Sequence, residues 1–182
     1  MSHRYGRRTW SDRNRPRVLD VAPGLVHESG PARRRDWAPE RVAVMAHWSS
    51  STEPSRSVVT MLRELDAAGF ETVLVSAAEV PGPIGRVCSW APGGPAMPPG
   101  TTVMRRANVG YDFGSWASVL AAYPGIAATT RVVLVNDSLI GPFAPLSPVL
   151  ADFEASSQPV WGLSGSLQHR PHVQSFFMGF KA

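Results

Sequence analysis

The sequence predicts an α/β domain with a mainly parallel β-sheet flanked by helices, preceded by a disordered N-terminal arm. Two observations carry the sheet: from Arg41 onward, short apolar runs alternate with helical patterns, and each run ends in polar residues. Alternation of this kind builds strand–helix–strand units with parallel strands. A third observation places the arm. Of the 18 basic residues, nine arginines fall in the first 40 positions against five acids, so the formal net charge of +4 belongs to that stretch. With 182 residues and 43% hydrophobic content the chain can bury one sizeable core but is short for two full domains, which divides it into an arm at 1–40 and a domain at 41–182.

The arm is Arg, Pro, Gly and Ser with isolated hydrophobics and no sustained period. It cannot bury enough surface to offset its ordering entropy. Residues 42–46 (VAVMA) then form a continuous apolar run, the pattern of a strand covered on both faces. After Pro54 and Ser55, Val58, Met61, Leu62 and Leu65 share one helical face and Gly69 stops the helix. Residues 72–76 (TVLVS) make the next strand. Six prolines and five glycines within 81–100 mark a long loop. A strand at 101–105, a helix at 113–123 and a strand at 131–135 (RVVLV) follow. A short helix at 145–153 and strands at 159–163 and 174–180 complete the order, with some antiparallel pairing expected near the C-terminal part.

Several function classes lose support at this level. Beyond the arm the charge is balanced, so a basic nucleic-acid-binding face is not expected. The arm itself suits an electrostatic tether to anionic lipid head groups, a peripheral contact at the inner face of the cell membrane. One cysteine, Cys88, permits neither an internal disulfide nor a multi-cysteine metal site, which fits a reducing cytoplasm. No secretory leader pattern and no run of 18 apolar residues is present, so export and membrane spanning are not expected. The phosphate-loop, nucleophile-elbow and HExxH signatures are also lacking.

In parallel sheets ligands bind beyond the carboxyl ends of the strands, so the residues that follow each apolar run are the candidates. His47 and Trp48 follow the first run. Asn108, Gly110, Tyr111 and Asp112 lie between a strand and a helix, where free helix N–H groups suit a diphosphate. Asp112 reads either as an ordinary helix cap or as a ligand contact with a ribose or sugar hydroxyl. Asn136, Asp137 and Ser138 end the RVVLV strand. Asp137 is a candidate oxygen ligand for a divalent cation, Mn or Mg, and the triplet is equally ordinary turn chemistry. His172 and Gln174 gather near the C-terminal strand; His172 could serve as a base or a phosphate donor, or stand as a solvated loop histidine.

Taken in order, six segments resemble the rhamnan synthesis protein F family of bacterial polysaccharide glycosyltransferases. They are residues 42–48, residues 73–76, the Arg106-x-Asn108-x-Gly-Tyr-Asp-Phe-Gly-Ser-Trp116 block, Leu134-x-Asn-Asp-Ser-x-x-Gly-Pro142, residues 161–163, and His172-x-Gln-Ser-x-Phe177. The resemblance implies a GT-A-like (Rossmann-like) fold and transfer of a sugar, typically rhamnose from a dTDP-activated nucleotide-sugar donor, onto a polysaccharide or lipid-linked saccharide acceptor. It implies that His47 and Trp48 lie by the nucleotide and that Asn108, Gly110, Tyr111 and Asp112 frame the donor pocket. Residues 136–138 would take the place of a metal-binding Asp-x-Asp motif, here with one carboxylate, Asp137, and His172 and Gln174 would join the donor site. Relatives of this kind continue past the position of Ala182 into acceptor-binding elements. A non-catalytic nucleotide-sugar-binding or scaffold protein derived from the same fold is therefore the alternative expectation.

Overall fold

The computed structural model describes residues 24–85, 97–168 and 170–181. Residues 1–23, Cys88 with the rest of 86–96, and His169 lie outside the described residues.

The first helix shows how local chemistry sets the elements. Ser55 accepts a hydrogen bond at its side chain from the Val58 N–H and caps helix α1 (Arg56–Ala67). The helix buries Val58, Val59, Met61, Leu62 and Leu65 and ends before Gly69, whose φ of +81° is open to glycine at no steric cost. It joins strand β2 (Arg41–His47) to β3 (Glu71–Ser76), which pair in parallel with Val44 opposite Val73. Strand β4 (Thr102–Arg105) adds to β3 in parallel. Helix α2 (Tyr111–Ala122) and a 3-10 turn at Pro124–Ala128 then carry the chain back across the sheet. Strand β5 (Arg131–Asn136) lands on the other side of β2, again in parallel.

Beyond β5 come helix α3 (Ser147–Ala155), strand β6 (Val160–Gly162), the two-residue strands β7 (Gly165–Ser166) and β8 (His172–Val173), and strand β9 (Phe177–Lys181). β9 runs antiparallel between β5 and β6, while β7 and β8 pair as a separate small sheet. The mixed α/β architecture and the antiparallel C-terminal part are as the sequence predicts. None of the helices among the described residues is long and apolar enough to cross a membrane.

The period-two geometry of the strands divides the core into two layers. Ala43, Met45, Leu74, Val133 and Val135 face α1 and α3 on one side. Val42, Val44, Val73, Val75 and Leu134 face Trp116 and Val119 of α2 on the other. β2 is therefore apolar throughout because both of its faces are covered, and residues 42–46 are all buried. At about 1.5–3 kcal/mol for each fully buried large aliphatic side chain, Val42, Val44 and Met45 make β2 a main contributor to the stability of the sheet, alongside Val73, Leu74 and Val75 of β3.

Two expectations are corrected. The stretch before Arg41 is not wholly disordered, since Val26–Ser29 forms strand β1 and pairs antiparallel with β4. Burial of single side chains does what periodicity could not: Trp37 packs edge-on against Tyr123 with ring centroids 5.6 Å apart, and Glu28 pairs with Arg105 at 2.9 Å. Part of the arm's charge is also spent within the chain, Arg33 with Glu71 at 2.7 Å and Arg34 with Asp36 at 3.1 Å. The second correction concerns α2, which starts at Tyr111 and not at 113, with Gly110 as its cap.

Packing leaves no room for a side chain where β9 meets α3. A Cβ added at Gly179 would sit 2.4 Å from Cε2 of the fully buried Phe153 ring. Gly179→Ala is expected to destabilise the fold by about 1–3 kcal/mol through overpacking, read as a lower urea midpoint at unchanged slope. An unchanged midpoint would show that this contact relaxes freely.

Candidate functional site

The strand order β1-β4-β3-β2-β5-β9-β6 makes β2 and β5 neighbours whose onward connections leave in opposite directions. A crevice opens where the connections part, beyond the carboxyl ends of the two strands. A cavity of about 410 Å³ lies there, lined by His47, Trp48, Asn108, Tyr111, Asp112 and Ser138, with Ala77 and Ser115 completing its wall. This falls in the usual size range of small-molecule sites, about 300–1,000 Å³.

Hydrogen bonds across the strand ends hold these groups in place. The Trp48 N–H donates to Asp137 Oδ2 at 2.7 Å, tying the end of β2 to the end of β5. Asn136 donates from Nδ2 to Asp112 Oδ2 at 2.7 Å, which brings together two motifs 24 positions apart. The Asn136 side-chain carbonyl accepts from the Ser138 N–H at 3.2 Å, so the triplet is a true Asx turn as well. Asp112 lies in the first turn of α2 but does not cap it; its carboxylate turns to Asn136. Asn136 and Asp137 thus stand directly behind residues that line the cavity.

The electrostatics follow from burial. His47 is 4% exposed, and its Nδ1 lies 3.1 Å from Ser76 Oγ on the neighbouring strand, with which it is in register. Desolvation lowers its pKa to about 4, so the imidazole is neutral at physiological pH. Desolvation also raises the Asp137 carboxyl above its ordinary value; the Trp48 N–H opposes that shift and the nearby Asp112 charge adds to it. Beneath the cavity, Arg106 is 4% exposed, donates from Nη1 to Ser115 Oγ at 3.2 Å and from Nη2 to the Val109 carbonyl, and leaves Nε without a partner. A Cβ at Gly114 would meet the Val109 carbonyl at 2.0 Å and the guanidinium at 3.0 Å, which explains a glycine inside this helix. No carboxylate among the described residues pairs with Arg106.

Not every predicted residue gathers here. Gly110 supplies the turn into α2 and does not line the cavity, and His172 and Gln174 lie elsewhere on its far hairpin. His172 is exposed on β8, donates from Nδ1 to the Arg170 carbonyl at 2.8 Å, and lines a separate shallow depression. The Gln174 N–H donates to the Ser164 carbonyl at 2.9 Å. Sequence reasoning missed Ala77 and Ser115. Ala77 follows β3 and was reachable by the same strand-end rule that found His47; Ser115 faces the cavity one turn into α2, and its only signal was its distance from Tyr111 along the helix. A larger apolar groove of about 500 Å³ runs along the open sheet face by Val132, Leu134 and Phe180. It offers little polar chemistry and is not the candidate site.

Residues 100–182 match the family model described as Rhamnan synthesis protein F. The matched residues begin just before β4 and include Asn108, Tyr111, Asp112, Asn136, Asp137 and Ser138, while His47, Trp48 and Ala77 fall before them. The resemblance read from the motifs is borne out over that part of the chain. Two curated relatives, each described as virulence protein VirA of Vibrio anguillarum, are 40% identical over 80 residues, which is 42% of this chain and 25% of the relative. The chain thus spans about a quarter of the length of the curated relatives it matches. No solved structure matches.

The buried imidazole makes a pH prediction with a fixed sign. His47 has a folded pKa of about 4 against an ordinary 6.5, so the unfolded chain binds more protons between those values and stability falls as pH drops from 6.5 toward 4. The loss should reach roughly 3 kcal/mol. Chemical denaturation at pH 7 and pH 4 should show it in the native chain and much less of it in His47→Gln; equal losses in both would remove His47 as the cause.

Proposed function

We propose that the chain carries the donor-binding part of a glycosyltransferase of the rhamnan synthesis F type, with a GT-A-like fold, acting in polysaccharide synthesis. The donor is a nucleotide-diphosphate sugar, dTDP-rhamnose by family resemblance, and the acceptor a polysaccharide or lipid-linked saccharide on the cytoplasmic side. One observation carries this reading: a cavity at the topological switch point combines exposed aromatic rings, a neutral imidazole and, at the start of a helix, the Asp112 carboxylate held by Asn136.

Each group has a task in such a reaction. Sugar transfer leaves negative charge on the departing diphosphate, so catalysis needs positive potential placed there in advance. The first N–H groups of α2 are not capped by any side chain, and its positive dipole end opens on the cavity. Arg106 adds a fixed cation one layer below. Asp112, oriented by Asn136, is placed to accept from ribose or sugar hydroxyls. His47, kept neutral, can donate or accept a hydrogen bond without bringing charge into the site.

A divalent cation fits this donor set. Asp112 and Asp137 each have one oxygen engaged in a hydrogen bond, and Asp112 is near enough for its charge to disfavour ionisation of Asp137. Among the described residues no cluster of three His, Cys, Asp or Glu is present. Mg²⁺ and Mn²⁺ commonly take one or two carboxylates and complete their shell with phosphates and water. Asp137, with Asp112 beside it, would hold such an ion, which would supply charge neutralisation for the diphosphate.

Thermal unfolding with and without dTDP-rhamnose and Mn²⁺ tests the proposal. A ligand held by the native state at a hundred times its Kd should add about 2.7 kcal/mol of stability. The Mn²⁺-dependent part of that gain should vanish in Asp137→Ala. A cooperatively unfolding sample that gains nothing from dTDP-, UDP- or GDP-sugars would refute a donor site.

A further inference from the structure

Tyr111 combines three properties that do not belong together in a structural residue. Its φ is +52°, the one positive value among the described non-glycine residues, and it directly follows Gly110 at φ +77°. For a bulky L-residue this left-handed conformation is a source of backbone strain. Its side chain is 80% exposed, and no ring contact or hydrogen bond of the phenol occurs among the described residues, so packing does not offset that strain. The same residue lines the cavity. Backbone strain of this kind clusters at active sites and ligand clamps.

Two neighbours define what the ring faces. Trp48 lines the same cavity from the end of β2, is 53% exposed, and packs against no other ring among the described residues. Asn108 also lines it, and its side-chain amide has no hydrogen-bond partner among the described residues. An amide offers one acceptor and two donors in a plane, which complements the imide edge of a uracil-type or thymine-type base. Flat aromatic surfaces and an amide reader at one cavity are a recognition set for a nucleobase, since stacking on an aromatic ring needs only a π face while the edge needs matching donors and acceptors.

We infer that Tyr111 is held in its strained backbone conformation as a stacking platform for the pyrimidine base of the donor, with Trp48 as a second aromatic wall and Asn108 reading the edge of the base. This rests on the reading of the cavity as a nucleotide-sugar site and adds to it the residues that hold and select the base. The diphosphate then extends toward the N-terminus of α2, and Asp112 is left for hydroxyl groups.

Calorimetric titration of the full chain with dTDP, UDP, GDP and inorganic pyrophosphate, alongside melting curves without ligand, separates the outcomes. The expected result is tighter binding of dTDP and UDP than of GDP or pyrophosphate. Tyr111→Gly should weaken dTDP on the order of tenfold or more while leaving pyrophosphate unchanged. It should leave the melting temperature equal or higher, because glycine adopts this φ without strain. Tyr111→Phe should keep dTDP affinity, since it keeps the stacking face. Undiminished dTDP affinity in Tyr111→Gly overturns the inference and leaves the donor site standing. Loss of dTDP and pyrophosphate together, with a lower melting temperature, also overturns it, by showing Tyr111 to be structural. A native chain that binds none of the four probes overturns the nucleotide-sugar reading itself.

Discussion

The parallel pairing of β2 with β5 is the constraint from which the site follows. Because β3 and β4 have already been laid down on one side of β2, the chain must return through α2 to reach the other side. That return places the N-terminus of α2 over the ends of both central strands. It also leaves a crevice that no side chain of the core fills. The Trp48–Asp137 and Asn136–Asp112 hydrogen bonds then close the strand ends into a fixed frame. The first bond needs β2 and β5 side by side, and the second needs the start of α2 over the end of β5.

The same frame accounts for the local charge balance. Two carboxylates close together would repel, and burial raises the cost further, yet each is given a hydrogen-bond donor. The imidazole nearest them is kept neutral by desolvation and so does not relieve the repulsion. Arg106 lies deeper, bound to Ser115 and to the Val109 carbonyl, and stiffens the loop between β4 and α2. The proposed donor, which carries both hydroxyl groups and negative charge, would meet acceptors and a positive helix end together in this frame.

Much of this was legible in the sequence, and the exceptions have physical causes. The runs at 42–46, 72–76 and 131–135 could be read as strands because two-sided burial demands continuous apolar residues. The four residues of β1 carry no such run; they are an edge strand, held by backbone pairing and by the Glu28–Arg105 ion pair, and a partner 77 positions away cannot be seen from spacing. Gly110 and Gly114 looked alike on paper, but one turns the backbone and the other makes room for a guanidinium. At the site, the rule that ligands gather beyond strand ends found His47, Trp48, Asn136 and Asp137. The link from Asn136 to Asp112 needed the third dimension. His172 and Gln174 were picked out as polar residues near the C-terminal strand and by family resemblance, and their hairpin does not reach the cavity wall.

The two outer strands of the sheet carry a consequence for the behaviour of the protein in a crowded solution. An open β-edge is a template on which another chain can add by backbone pairing. Here β1 is four residues long, with a register shift between His27 and Ser29, and β6 at the opposite margin has only three residues and ends in glycine. A bulge twists an edge away from a flat approach, and a short edge offers too few bonds in a row to hold a visitor. The strands rich in valine and leucine, which would be the most adhesive if uncovered, occupy the middle. The order of strands that creates the crevice therefore also shields the stickiest segments from edge-to-edge aggregation.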